Sequence, residues 1–244
     1  DMAIKLTTTR ESAQVNGVKV LVYGQAGSGK TTLCATTGAP TVILSAEGGL
    51  LSLRHVDIPV IEVKTVEDVA EAYQFLANSH EGKQFEWVCL DSLSEIGEVC
   101  LAAEKKLSRD PRQAYGALQE HMYRLIRDFR DLPGRNVYFS AKMGAQKVDI
   151  VETRTTGALT SQVAVGSKIT YAPSMPGVKL GQSLPYFTDL VLALRVEKDE
   201  DGNPSRWLQT QPDDAYAAKD RSGALQPFEA PDLAAIATKV RSSI

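Results

Sequence analysis

The sequence predicts an α/β fold, a mainly parallel sheet flanked by helices with antiparallel strands toward the C-terminus. Three observations predict it. Strand-like and helix-like runs alternate over the first 140 residues, as strand–helix–strand crossovers do. A glycine-rich segment, Gly24–Thr31, sits between the first strand and the first helix. A late run of strands, with an acidic turn at 197–202, then extends the sheet antiparallel. No linker-like break and no internal repeat divides the chain, so one domain over 1–244 is expected, with 1–16 as an N-terminal extension.

Residues 18–23 form the first strand, rich in β-branched side chains. The glycine loop follows, then a short helix from Gly29 to about Thr37, stopped by Gly38 and Pro40. Strands are expected at 41–45 and 59–63, the first of them beside the glycine-loop strand. Thr65 caps a helix whose Val66, Val69, Tyr73 and Ala77 share a face. A buried strand at 86–91 ends in Asp91, and a helix over 93–107 turns Leu93, Ile96, Cys100 and Leu107 inward. After Asp110-Pro111, the residues Tyr115, Leu118, Met122, Leu125, Ile126 and Phe129 draw one apolar stripe, ended by Pro133-Gly134. Another strand spans 136–140. Residues 143–183 lack periodicity and are expected to be a functional, partly mobile loop region. Strands resume at 188–196, about 205–210 and about 215–219, and a final helix over 231–241 packs Leu233, Ile236, Ala237 and Val240.

The chain has 244 residues, 43% hydrophobic and 23% charged, an ordinary globular composition. Its net charge of −3 gives no global basic field, so any nucleic-acid contact must be a local patch. Cys34, Cys89 and Cys100 make no C-x-x-C pair and read as buried thiols of a reducing compartment. His55, His80 and His121 lack metal-ligand spacing, so no zinc site is expected. No apolar run approaches the ~18 residues of a membrane span. Lys5 and Arg10 are not followed by an apolar signal core. A cytoplasmic protein is expected, and Asp1 ahead of Met2 reads as an addition to the chain.

Gly24, Gln25, Ala26, Gly27, Ser28, Gly29, Lys30 and Thr31 fit G-x-x-x-x-G-K-[ST] in full, with Thr32 following. Glycines let backbone N–H groups turn toward phosphate oxygens, Lys30 reaches the β- and γ-phosphates of ATP, and Thr31 offers its hydroxyl to Mg²⁺. Asp91 stands where a second Mg²⁺-side carboxylate belongs, unless it only caps the helix after it. Glu47, in the turn after the second strand, is either a solvated loop acid or the group that activates water.

Together these residues resemble the RecA-type core ATPases. Within that superfamily the chain looks like the compact phage Sak-type single-strand annealing proteins. It shares Val-Tyr-Gly-x-x-Gly-x-Gly-Lys-Thr-Thr at 22–32, Ala-Glu-Gly-Gly-Leu at 46–50, Leu-Asp-Ser at 90–92 and Ala-Lys-Asp-Arg-Ser-Gly at 218–223, a likeness spanning about 18–240. The resemblance implies a RecA-like core, ATP hydrolysis with Glu47 as the catalytic glutamate, self-assembly into a ring or filament, and single-stranded DNA as partner. It leaves room for a single-strand-binding protein as a further partner. Lys219-Asp220-Arg221 is similar to the Lys-Asn-Arg element of RadA, which implies a cationic finger into a neighbouring subunit's nucleotide. As strand residues, Lys219 and Arg221 would share a face; the alternative is a self-paired surface trio.

The resemblance departs in two places. The γ-phosphate sensor, usually Gln or Asn after the strand matching 136–140, is here either Lys142 or Gln146. With the phosphate loop starting at residue 24, the recombinase amino-terminal domain is expected to be missing. The DNA-contacting loop of the relatives matches 142–182, where Lys142, Lys147, Arg154, Lys168 and Lys179 against Asp149 and Glu152 give a local +3. Tyr171 is there to stack a base. An ordinary solvated loop is the other reading of this region. Two further functions compete: a kinase of a nucleotide or small metabolite, disfavoured because 143–183 supplies only Arg154 as a lid arginine, and an ATP-controlled assembly switch without DNA.

Overall fold

The computed structural model describes residues 6–9, 11, 17–156 and 159–243, apart from the side chains of residues 154, 156 and 159. Most of the expected N-terminal extension therefore lies outside the described residues. The run Lys-Val-Leu-Val-Tyr-Gly is buried along its whole length and forms β1 (Lys19–Gly24). A strand covered on both faces needs such an almost unbroken apolar run. The expected short helix after the glycine loop is a 3-10 helix, Thr31–Thr36. Leu33 N–H divides between the carbonyls of Gly29 and Lys30, both at 3.3 Å, and Gly38 at φ 64° ends the turn before an α-helix develops.

β2 (Thr41–Ser45) is fully buried, whereas β3 (Val60–Glu62) is largely exposed. Thr65 closes a capping box with Asp68 at the start of α1 (Val66–Asn78). β4 (Trp87–Asp91) leads into α2 (Leu93–Leu107), capped by Ser92. α3 (Pro111–Arg130) starts on an Asp110 cap with proline at its first turn. Both helices run as expected, but Leu107 and Tyr115 face solvent, because each sits at a helix end past the edge of the sheet-facing stripe.

β5 (Asn136–Thr156) continues far beyond the expected 136–140 and pairs antiparallel with β6 (Leu159–Ser174), from Lys142↔Ser174 to Thr156↔Leu159. Residues 143–156 and 159–174, expected as part of a loop, are thus the two strands of a β-ribbon. The short α4 (Val178–Ser183) precedes β7 (Leu190–Lys198), β8 (Pro204–Gln209), β9 (Lys219–Asp220), β10 (Phe228–Glu229) and α5 (Leu233–Ser242).

Among the described residues one sheet runs β10-β8-β7-β1-β5-β4-β2-β3, with β6 on β5 and β9 on β7. β1 lies parallel between β5 and β7, β4 parallel between β5 and β2, and β3 closes the parallel edge. β8 and β9 run antiparallel on the other side of β7. The expected neighbourhood of 41–45 and the glycine-loop strand does not hold: β5 and β4 stand between β2 and β1. β3 has an exposed edge strand's composition, and β2 pairs with it and so lies toward that edge.

One core, including Leu21, Tyr23, Leu44, Leu90 and Phe139, lies under α1, α2, α3 and α4. The other, including Val20, Val22, Leu33, Cys89, Tyr138 and Leu192, lies under the 3-10 turn and α5. Helical layers on both faces leave the C-terminal ends of the parallel strands as the open edge, where ligands bind in such sheets. Among the described residues no helix is long and apolar enough to cross a membrane.

Candidate active site

β1 delivers the chain to its C-terminal end at Gly24, and the turn 25–30 carries it over to the 3-10 segment. Gly27 (φ 73°) and Gly29 (φ 108°) hold conformations that side chains resist. Among the described residues, the N–H groups of Gly27, Gly29 and Lys30 have no hydrogen-bond partner, while Ser28 N–H reaches Gln25 O at 3.2 Å. Successive free N–H groups at a glycine turn form an anion cradle, so these residues fit a nucleotide's phosphates. The loop is packed tightly beneath: a Cβ on Gly24 would lie 2.7 Å from Ser28 Oγ and 3.2 Å from Leu194 O.

The loop lines a cavity of about 630 Å³ together with Thr32, Thr36, Glu47, Leu194, Arg206 and Pro231. Lys30 Nζ donates to Gly24 O at 3.1 Å and Gln25 O at 2.9 Å. Burial pushes this ammonium below its ordinary pKa, against the pull of Glu47 and Asp91. An arriving phosphate would restore what burial removes.

Asp91 is buried at the end of β4 and accepts two hydroxyls, from Thr31 Oγ1 at 2.5 Å and from Ser140 Oγ. Thr31 and Asp91 are therefore in contact across 60 residues, as a shared Mg²⁺ site requires. Mg²⁺ takes few protein ligands and leaves the rest to water and phosphate, which suits this pair. Tyr138 Oη, from β5, donates to Lys30 O at 2.8 Å and fixes the base of the loop.

Glu47 reaches the same cavity although β2 is not next to β1. Ser45 lies beside Asp91 in register, and Ala46 N–H bonds Asp91 O at 3.1 Å, so the chain leaving β2 passes over the strand ends. Ser92 Oγ donates to Glu47 Oε1 at 2.6 Å and also accepts the Glu95 N–H, so the cap of α2 orients the acid. Of the two sensor candidates, Lys142 lies level with Gly24 in register, whereas Gln146 stands four residues out along the ribbon. The Lys142 ammonium pairs with Glu95, which raises its pKa.

Lys219 and Arg221 are not brought into this cavity. β9 pairs with Leu190 and Val191, level with Val20 and Leu21, while the phosphate loop leaves β1 at Gly24. β9 ends at Asp220, whose carboxylate folds onto Ser222 and Leu225, while Arg221 N–H bonds Asp189 O at 3.1 Å, so Lys219 and Arg221 both reach the turn at 185–189. Lys219 Nζ is tucked between Thr188 O, at 2.5 Å, and Pro185 O, and burial lowers its pKa to about 8. Arg221 forms a half-exposed ion pair with Asp189 at 3.5 Å.

The ribbon separates its cations. Lys147 stands opposite Ile169 and Lys168 opposite Val148, and the strand period of two puts the lysines on opposite faces. Lys147 is exposed, while Lys168 pairs with Asp214 at 2.7 Å. The Arg154 side chain lies outside the described residues. One face of the half-buried Tyr171 ring is taken, stacked on Tyr216 at 5.0 Å, and its backbone bonds Ala215 and Ala217.

Sequence reasoning missed Arg206, Ser140 and Tyr138. Each enters from a strand distant in sequence from the loop, and no local motif marks it.

Residues 16–222 match the family described as an AAA domain. No curated protein matches the chain. Among solved structures, the chain is similar to the KaiC-like protein PH0186 from the hyperthermophilic archaeon Pyrococcus horikoshii OT3, at 13% identity and a TM-score of 0.40, over 80% of this chain and 81% of that one.

Proposed function

The chain belongs to the AAA domain family, and from that premise we propose that it binds ATP on the loop Gly24–Thr31 and hydrolyses it. The observation that carries this is the convergence of Lys30 and Thr31 of the loop with Glu47 at one cavity, with Asp91 of β4 bonded to Thr31 beside it. The free N–H groups of the loop hold phosphate oxygens, and Lys30 adds a cation from below. A bound Mg²⁺, held by Thr31 and Asp91, would neutralise charge on the phosphates. Glu47 takes a proton from water as the water oxygen bonds to the γ-phosphorus, and the bond to the bridging oxygen breaks, leaving that oxygen on ADP. Lys142 senses the γ-phosphate by exchanging its Glu95 partner for it. Phosphate release by the wild-type protein with Mg²⁺, abolished in Lys30→Ala, tests this reading. Equal release by both proteins would exclude it.

A second reading rests on the ribbon. It starts at Lys142, level with the phosphate loop, and carries the exposed Lys147 outward. We place single-stranded DNA on it, as in the phage recombination annealing proteins that the sequence resembles. Anisotropy of labelled single-stranded DNA, with and without ATP, tests this. No binding in either condition would leave an ATPase without a DNA role. Arg221 lies far from its own phosphate loop, so any part it takes in hydrolysis is on a neighbouring subunit in a ring or filament.

A further inference from the structure

Arg206 lies on β8, level with Val196 of β7, and its side chain crosses back over the phosphate loop. Its Nε–H donates to Ser28 O at 3.0 Å. Its stem lies over Gly29, where a Cβ would make van der Waals contact with Nε at 3.5 Å and Cδ at 3.7 Å. Among the described residues, its terminal amino groups have no hydrogen-bond partner and no carboxylate. A guanidinium held by Nε presents its remaining N–H fork outward, and that fork matches phosphate oxygens.

The position fixes which phosphates. Glu47, Asp91 and Lys142 stand on the β5, β4 and β2 side of β1, where the terminal phosphate reacts. Arg206 arrives from the opposite flank, by β7 and β8, with Leu194 and Pro231 lining the cavity beside it. A nucleotide whose terminal phosphate faces the acids turns its other phosphates toward that flank.

Resting on the nucleotide reading above, we infer that Arg206 binds the diphosphate portion common to ATP and ADP and clamps it against the glycine loop. Its contribution is the same for both nucleotides and independent of the base. A charge-assisted pair of this kind is worth about tenfold or more in affinity.

The test measures Kd for Mg-ATP, Mg-ADP and Mg-GDP at two salt concentrations, in wild type, Arg206→Ala, Arg206→Lys and Lys30→Ala, with melting curves as the folding control. Arg206→Ala should lose about tenfold for all three nucleotides, with a flatter salt dependence and an unchanged melting temperature. Arg206→Lys, which keeps the charge, should recover part of the loss. Unchanged affinities in Arg206→Ala overturn the inference, and so does a loss confined to ATP, which would place the side chain at the γ-phosphate. A loss accompanied by a lower melting temperature and an unaltered salt dependence also overturns it, in favour of a role in holding Ser28. Failure of the wild-type protein to bind any of the three overturns the nucleotide reading itself.

Discussion

Asp91 shows how one side chain is committed to a site. Its carboxylate is buried and accepts from Thr31 and Ser140, so it serves as acceptor to two hydroxyls. An amide offers one acceptor oxygen and places N–H groups where the second hydroxyl donates. Asp91→Asn should therefore lower stability by about 1–3 kcal/mol through a mismatched buried pair. The same change removes the charge proposed to hold Mg²⁺, so ATP affinity should no longer rise with added Mg²⁺. Calorimetric ATP titrations across a Mg²⁺ series check this, and a wild-type response to Mg²⁺ would remove Asp91 from the metal site. That Lys30, Thr31, Asp91 and Glu47 gather in one place was legible in the sequence because each sits at or just after the C-terminal end of a strand. Arg206 was not, because it reaches Ser28 only through the pairing of β8 with β7, which no local pattern encodes.

At the scale of elements, the buried strands and amphipathic helices were legible because burial imposes a period on the sequence. The ribbon escaped notice for the converse reason. Val148, Ile150, Val151 and Ile169 are all exposed, so neither face of β5 and β6 is required to be apolar and no alternation arises. The signal that was present is β-branched content, from Val148 through Thr156. The neighbour order of β2 was unreadable for a different reason: crossover length allows a strand to skip positions. Ribbon geometry also sharpens the DNA reading. Lys147 and Lys168 face opposite ways, so a single strand lying along one face meets one of them. The ion pair of Lys168 with Asp214 is exposed and holds it weakly. Of Lys147→Gln and Lys168→Gln, one should reduce the slope of log affinity against log salt by about 0.7, and the other should leave it unchanged. Binding isotherms at several salt concentrations measure this, and wild-type slopes and affinities in both variants would take the DNA off the ribbon.

For the whole molecule, the central strand β1 ties pH to stability. Lys19 is buried, donates to Arg135 O at 2.5 Å, and burial lowers its pKa from 10.5 to about 8. Below pH 8 folded and unfolded chains both carry this proton. Between about 8 and 10.5 the unfolded chain keeps it while the folded chain sheds it, so this contribution to stability rises with pH, by at most about 1.4 kcal/mol per pH unit. Denaturant melts should show wild type gaining on Lys19→Met from pH 8 to 10, and parallel pH profiles would refute the assignment. Assembly is tested by mixing Arg221→Ala with Glu47→Gln. Each is expected to be inactive alone, and exchange of subunits should restore part of the turnover by placing an intact Arg221 beside an intact Glu47. Exchange confirmed by mass measurement without recovered turnover would deny Arg221 a role in trans.

Glu47 is proposed to turn the phosphate cradle into a hydrolytic site, and the Glu47→Gln variant tests this in one paired measurement of Mg-ATP affinity and phosphate release. The amide keeps the size of the side chain and an acceptor for Ser92 but cannot take a proton from water. Wild-type affinity is expected, with turnover reduced by about 10²-fold or more, the lower bound for loss of a general base. Wild-type turnover in Glu47→Gln would contradict it.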